Sequence, residues 1–468
     1  MKNELQRMGE NFRGILNDLK RRPEDAAREL GVSVEDIHAI IDGKKELSLS
    51  LIQKATEVWP ISARDFFLLN DDCPAGVRIM RASTSEKTRR LMDRGGYPYY
   101  EYRDTAASSL ALFRPEWIQE ECFVDDNDPQ NPKVQWNNGH FMHQFTYFIG
   151  PVNFYYRDAK GEKQVAVMDT GDSMYITPFV PHTFTTRATQ NNAQYAQYAQ
   201  SAQSNQGSKP MKGLILALTY GNKVVGECQQ ELSALGTELA SQYALDFTSK
   251  EMAFASLVRF YREGASLTRE EIAKRMGKDA AAIASYETGT IIPSGEELTN
   301  LAHALGVNTQ ELVPFDEIEQ KVILKKYETG TVWYYPESKA YKLVELAQTK
   351  SLPNSKAMEC TVLTDSPAAY DFKNGLHQYL YNVGETPVKI FWVKEGKAYE
   401  DILNPHDSAY VEPFVPHCFR GKGKLIILRI GGRVVGEAQI ELSLLGRGNA
   451  KRAIGESLQW FNPQGKKV

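Results

Sequence analysis

Two histidines in this chain stand in settings that suit a metal ion. The segment Asn137-Asn138-Gly139-His140-Phe141-Met142-His143-Gln144 places His140 four residues ahead of Gln144. Downstream, Pro178-Phe179-Val180-Pro181-His182 supplies a second histidine from a later strand. Two imidazoles and one oxygen donor on one face of a metal, with the opposite face open, form the facial triad of non-haem Fe(II) chemistry with O2. A carboxylate is the usual third donor, and here the position carries the neutral amide of Gln144. His143 is Gln144's neighbour on a strand and so points to the opposite face, where packing is its expected role.

Such residues need a scaffold, and the chain is long enough for several domains. It has 468 residues, 42% hydrophobic and 24% charged, the composition of a water-soluble globular protein. No apolar run approaches the length of a membrane span, and the polar start MKNELQRMGENFRG lacks a signal-peptide core. Five scattered cysteines, with no Cys-x-x-Cys pair, point to reduced thiols and a cytoplasmic setting. A net charge of -4 provides no bulk attraction to nucleic acid.

The chain is an internal repeat. Residues 222–236, NKVVGECQQELSALG, match 432–446, GRVVGEAQIELSLLG, at ten of fifteen positions. SMYITPFVPHTF at 173–184 matches SAYVEPFVPHCF at 408–419. Each copy opens with short helical segments, 23–62 and 268–307, whose helix-Gly-helix pattern suggests a helix-turn-helix. Alternating apolar runs between Gly and Asn/Asp turns follow, such as Phe145–Ile149 and Lys389–Val393, and predict β-barrels. The expected class is α+β, mainly β: a tandem repeat of a helix-turn-helix-like domain and a cupin barrel. The expected limits are 1–72 for the first helical domain, 73–236 for the metal-bearing barrel, 237–315 for the second helical domain and 316–468 for a degenerate barrel. The Gln/Ala/Ser/Asn-rich stretch at 188–209 reads as an inserted surface loop.

A helix-turn-helix that reads DNA presents Arg, Lys, Asn or Gln on its second helix. VSVEDIHAIIDG is acidic and apolar, and KDAAAIASYETG is mostly alanine. Only Lys20-Arg21-Arg22 and Lys44-Lys45 offer basic charge for phosphates. A ligand-sensing transcriptional regulator is the rival reading from another class, and it lacks this reading face.

The whole plan, helical domain then cupin with His140, Gln144 and His182, resembles the phosphonate-acting non-haem iron oxygenases. That family includes hydroxypropylphosphonate epoxidase, with one copy of the unit, and tandem-repeat enzymes that act on 2-hydroxyethylphosphonate. The resemblance implies that His140, Gln144 and His182 hold Fe(II). It implies that Arg94 and Tyr102 of RGGYPYYEYR, together with Asn137 and Lys20, hold the phosphonate, Tyr102 also reaching toward the reacting groups. A dianion suits a guanidinium, an ammonium and neutral donors. In the dioxygenase branch a carboxylate lies six residues before the second histidine, where this chain has Ile176. Gln144 with Ile176 resembles the branch that splits 2-hydroxyethylphosphonate into methylphosphonate and an oxidised one-carbon product. The alternative is the dioxygenase reaction, to hydroxymethylphosphonate and formate. Either reaction implies O2 and a small phosphonate as partners and no 2-oxoglutarate, because the substrate supplies all the electrons. A homo-oligomer is compatible with the sequence. In the second barrel NGLHQYLYNVG puts Asn374 at the His140 position, leaving Gln378 and His417 with Glu412 near by. The Arg/Tyr segment finds no counterpart in 344–362, so that barrel is expected to be structural.

Overall fold

A computed structural model describes residues 3–188, 211–221, 224–314, 321–366 and 369–455. Apart from Ala188, the Gln/Ala/Ser/Asn-rich stretch lies outside the described residues. The chain divides into two compact units, Met1–Gly76 with Ser108–Ala111 and Gly431–Val468, and Val77–Ala107 with Leu112–Ile430.

In the first unit, helices Glu4–Asp18, Pro23–Leu30, Val34–Ile41 and Leu49–Val58 surround Phe12, Ile37, Ile52, Trp59 and Phe66. Their ends follow local rules. Asn3, Ser33 and Ser48 cap N-termini with side-chain oxygens, and Pro23 opens its helix where a missing N–H costs nothing. Gly31 closes that helix at φ +73°, a left-handed conformation that glycine adopts freely. The second unit repeats the bundle with Lys250–Gly264, Arg269–Met276, Ala280–Glu287 and Gly295–Leu305 around Phe254, Ile272, Ile283 and Leu301.

The same unit holds both barrels. In the first, a seven-stranded sheet runs in the order Val322–Lys325, Ser173–Ile176, His143–Ile149, Leu214–Tyr220, Phe113–Glu120, Tyr97–Asp104, Arg90–Arg94. A four-stranded sheet that includes His182–Arg187 and Val152–Arg157 closes over a core of Tyr99, Phe148, Phe154, Phe184 and Ile215. The second barrel repeats this with seven and three strands around Tyr341, Leu380, Phe419 and Leu425.

The barrels exchange one edge strand each. Val77–Met80, from the segment assigned to the first barrel, pairs antiparallel with Ser408–Val411 of the second. Val322–Lys325 pairs with Ser173–Ile176 of the first. Limits at 73 and 316 therefore cut the sequence but not the sheets. A four-residue edge strand carries too little pattern to declare its partner. A buried aspartate locks each exchange. Asp407 accepts the Ala82 N–H at 2.8 Å and pairs with Arg81 at 3.0 Å. Asp172 accepts the Tyr327 N–H at 3.0 Å and pairs with Lys326. No helix among the described residues is long and apolar enough to cross a membrane.

Candidate active site

The site in the first barrel begins with a loop and a strand. Gly139 has φ +76°, and a Cβ there would lie 2.6 Å from the Phe179 backbone, so only glycine lets the two histidine loops touch. The Phe179 N–H donates to the His140 carbonyl at 2.9 Å. Asn137 ties the loops further, its side-chain oxygen accepting the N–H of Gly139 and of His182, both at 2.9 Å. The rings of His140 and His182 meet edge to face, 5.2 Å between centroids.

Each histidine has one nitrogen committed to a carbonyl. His140 Nδ1 donates to Met142 O at 2.9 Å and His182 Nδ1 to Val180 O at 2.8 Å. A backbone acceptor fixes the tautomer and leaves Nε2 with its lone pair, the outer support seen around metal-binding histidines. Burial holds His182 down to about 3, and the nearby His140 and Arg94 charges act in the same direction. It is neutral at pH 7, as a ligand must be.

Gln144 is 4% exposed and its Nε2 donates to Thr146 Oγ1 at 2.9 Å. That bond turns Oε1 toward His140, 2.9 Å from Nε2. Two acceptors thus face each other, an arrangement that a shared cation satisfies. Donors at about 2.1 Å from one metal and at right angles are roughly 3.0 Å apart, so the pair fits a divalent metal. Among the described residues no three His, Cys, Asp or Glu gather as a metal cluster, because an amide completes this set. Ile176 pairs in register with Gln144, so it faces the same way and is fully buried without a donor.

The anion side is built by the Arg90–Arg94 and Tyr97–Asp104 hairpin. The Arg94 guanidinium lies over the rings of Tyr99 and Tyr100, at 5.6 and 4.8 Å, and its Nη1 is buried with no hydrogen-bond partner among the described residues. Burial raises the Tyr102 hydroxyl's pKa, with the Arg94 charge opposing. The amide nitrogen of Asn137 sits 3.3 Å from His182 Nε2, so its donors face the metal side. Arg94, Tyr102, Asn137, His140, Gln144 and His182 therefore share one barrel. Lys20 belongs to the other unit, where it has φ +56° and its ammonium donates to Asp18 O at 2.6 Å. His143 packs on the far face, its Nδ1 bonded to Tyr175 Oη at 2.6 Å.

Two residues had escaped sequence reasoning. Thr146 aims the Gln144 amide, and its signal was the period of two that puts 144 and 146 on one face. Glu116 lies close enough to His140 and Tyr102 to interact with both. Burial raises its carboxyl, opposed first by Arg90 and then by His140. Nothing local in its sequence marks it.

The second barrel keeps the frame and loses one imidazole. Phe414 N–H donates to Asn374 O at 2.7 Å, repeating the Phe179–His140 contact with asparagine in the histidine's place. Glu412 is occupied by an ion pair with Lys394. The counterpart of the Tyr97–Asp104 strand is Tyr341–Glu345, which begins three residues before the 344–362 segment. Tyr341 exchanges hydrogen bonds with Phe419 backbone as Tyr100 does with Phe184. Counting two residues on from each tyrosine, Leu343 replaces Tyr102, so the hairpin is kept and its polar tip is not.

Residues 258–312 match the helix-turn-helix family model. The chain is 54% identical over 463 residues to the methylphosphonate synthase of Nitrosopumilus maritimus strain SCM1, covering 98% of this chain and 97% of that one. Among solved structures it is similar to Streptomyces albus HEPD with 2-hydroxyethylphosphonate and Fe(II) bound, at 35% identity and TM-score 0.87 over 97% of this chain and 99% of that one. A hydroxyethylphosphonate dioxygenase variant at 17% identity and TM-score 0.71, covering 97% and 100%, shares the fold.

Proposed function

This chain belongs to the methylphosphonate synthase family of non-haem iron oxygenases, and from that premise we propose how its first barrel acts. The chain is an Fe(II)-dependent oxygenase that takes 2-hydroxyethylphosphonate and O2, cleaves the C–C bond and releases methylphosphonate with an oxidised one-carbon product. Iron, when bound, supplies the open positions at which substrate and O2 meet; 2-oxoglutarate is not required, since the substrate provides the electrons.

His140, His182 and Gln144 would hold the iron. The neutral amide leaves the metal one charge more positive than a carboxylate would, which favours a dianionic substrate. The buried, unpartnered Arg94 Nη1 is the observation that carries the substrate assignment. A buried donor without an acceptor is costly, and a phosphonate oxygen would answer it. The Asn137 amide would bind a second oxygen once the metal takes the His182 lone pair. Tyr102, kept protonated by its burial, would donate toward the phosphonate and the reacting groups. Gln144 beside a donor-free Ile176 supports methylphosphonate over hydroxymethylphosphonate, because the alternative carboxylate position is apolar.

The regulator reading loses its phosphate contacts. Lys44, Lys45, Arg21 and Arg22 are each paired with a carboxylate. None of the five cysteines forms a disulfide among the described residues, which supports a reducing, cytoplasmic setting. The test is O2 uptake. It should require both Fe(II) and 2-hydroxyethylphosphonate and ignore 2-oxoglutarate; uptake without iron, or none with both present, would remove the assignment.

A further inference from the structure

The second barrel carries a cation, Arg429, that no carboxylate answers among the described residues. Leu214–Tyr220 of the first barrel corresponds to Lys424–Ile430 of the second, and register makes the equivalence residue by residue. Gln144 pairs with Thr219, and Gln378 with Arg429. Arginine thus replaces the threonine beside the ligand position. Arg429 lies on the face of Leu425 and Ile427, both in the core of that barrel, so it points into the barrel's interior.

A relay holds it there. Arg429 Nε donates to Gln378 Oε1 at 2.8 Å, Gln378 Nε2 donates to His417 Nε2 at 2.9 Å, and His417 Nδ1 donates to Val415 O at 2.9 Å. The Gln378 amide is turned the opposite way from Gln144. Leu380 stands where Thr146 held the first amide, so no hydroxyl competes. The relay uses the His417 lone pair that would bind a metal, and Asn374 removes the other imidazole.

The guanidinium's remaining edge is open. Arg429 Cζ lies 5.6 Å from the Phe372 ring centroid, which leaves the two terminal nitrogens on the fork's rim. Among the described residues they make no hydrogen bond, yet they are not sealed from solvent. No carboxylate pairs with Arg429 among the described residues. Asp371 accepts from Tyr341, Glu412 pairs with Lys394, and Glu359 is taken by Tyr147, Tyr327 and Lys424. The Asn374 oxygen accepts the Leu376 N–H at 2.9 Å, and its NH2 makes no hydrogen bond among the described residues. Lys356, the neighbour of Arg429 on the other flanking strand, is exposed and adds a second positive charge. A half-buried cation with no counter-charge is an expensive feature to keep for packing alone.

We propose that the second barrel is an anion-binding site, in which Arg429 takes a small oxyanion of the phosphonate or carboxylate kind through its two terminal nitrogens. Guanidinium forks match both shapes bidentately. The site is independent of the iron assignment, since none of its residues lies in the first barrel.

The test is equilibrium dialysis of the full-length, iron-loaded chain under anaerobic conditions with labelled methylphosphonate. Wild type should bind two per chain. Arg429→Leu should bind one, and Arg94→Ala should also retain one, at the second barrel. Arg429→Lys, which keeps the charge and is the fallback if the Leu chain does not fold, should weaken that site about tenfold. Competition by inorganic phosphate against competition by formate distinguishes a phosphonate-type ligand from a carboxylate. Two equivalents in Arg429→Leu, unchanged affinity in Arg429→Lys, or a single wild-type equivalent lost with Arg94 would overturn the proposal. Two equivalents persisting in Arg94→Ala but not in Arg429→Leu would support it and count against the first-barrel reading alone.

Discussion

The side chain of Gln144 faces a choice that a carboxylate does not, because only one of its two ends can bind a metal. Thr146, fully buried, accepts from the amide nitrogen and so presents the oxygen. Thr146→Val should let the amide turn, as Gln378 does beside Leu380. Iron affinity should then fall several-fold while the fold is kept, measured by titration of iron into the metal-free chain; unchanged affinity would show that Thr146 does not orient the ligand. Arg94→Ala should weaken substrate binding by about 2–5 kcal/mol, the usual result of removing one member of a buried charged pair. Calorimetric titration of 2-hydroxyethylphosphonate under anaerobic conditions measures it, and Arg94→Lys should recover only part. That His140, Gln144 and His182 come together was legible in the sequence, because each lies in a short motif whose spacing implies its geometry. Thr146 was half legible, from strand alternation. Glu116 was not, because it comes to His140 only when a strand far away in sequence closes the barrel.

At the scale of elements, the repeat was plain, since 173–184 and 408–419 share the Pro-Phe-Val-Pro-His turn and both phenylalanines take φ +62°. The glycine turns between helices were legible for the same local reason, since Gly31 acts on its own turn. The exchange of edge strands was not legible. Strand alternation tells which residues face inward, not which sheet they join. The Asp407 clasp explains why Val77–Met80 stays with the second barrel. Asp407 is 2% exposed, and its side chain accepts two backbone N–H groups besides Arg81. Asp407→Ala should cost about 3 kcal/mol, as for other buried partners left unpaired, read as a lower denaturant midpoint. A midpoint equal to wild type would mean that the strand pairing alone holds the exchange.

For the whole molecule, the buried histidines set a pH dependence. Burial lowers His143 and His417 to about 4 and His182 to about 3, against 6.5 for the free side chain. Between pH 6.5 and about 4 the unfolded chain binds protons that the folded chain excludes. Stability therefore rises with pH across that window and is lost on acidification. The thermal midpoint of the metal-free chain should fall from pH 7 to pH 5, and a flat profile would show that these rings open to solvent. Iron should raise the midpoint further at pH 7 by binding only the folded state, an increment that a chelator removes. The measurement closest to the central claim is the phosphorus NMR spectrum of 2-hydroxyethylphosphonate after turnover with Fe(II) and O2. The first barrel, with Gln144 beside Ile176, predicts a single new resonance from methylphosphonate, absent in His140→Ala. Hydroxymethylphosphonate as the main product, or methylphosphonate from the His140→Ala chain, would contradict it.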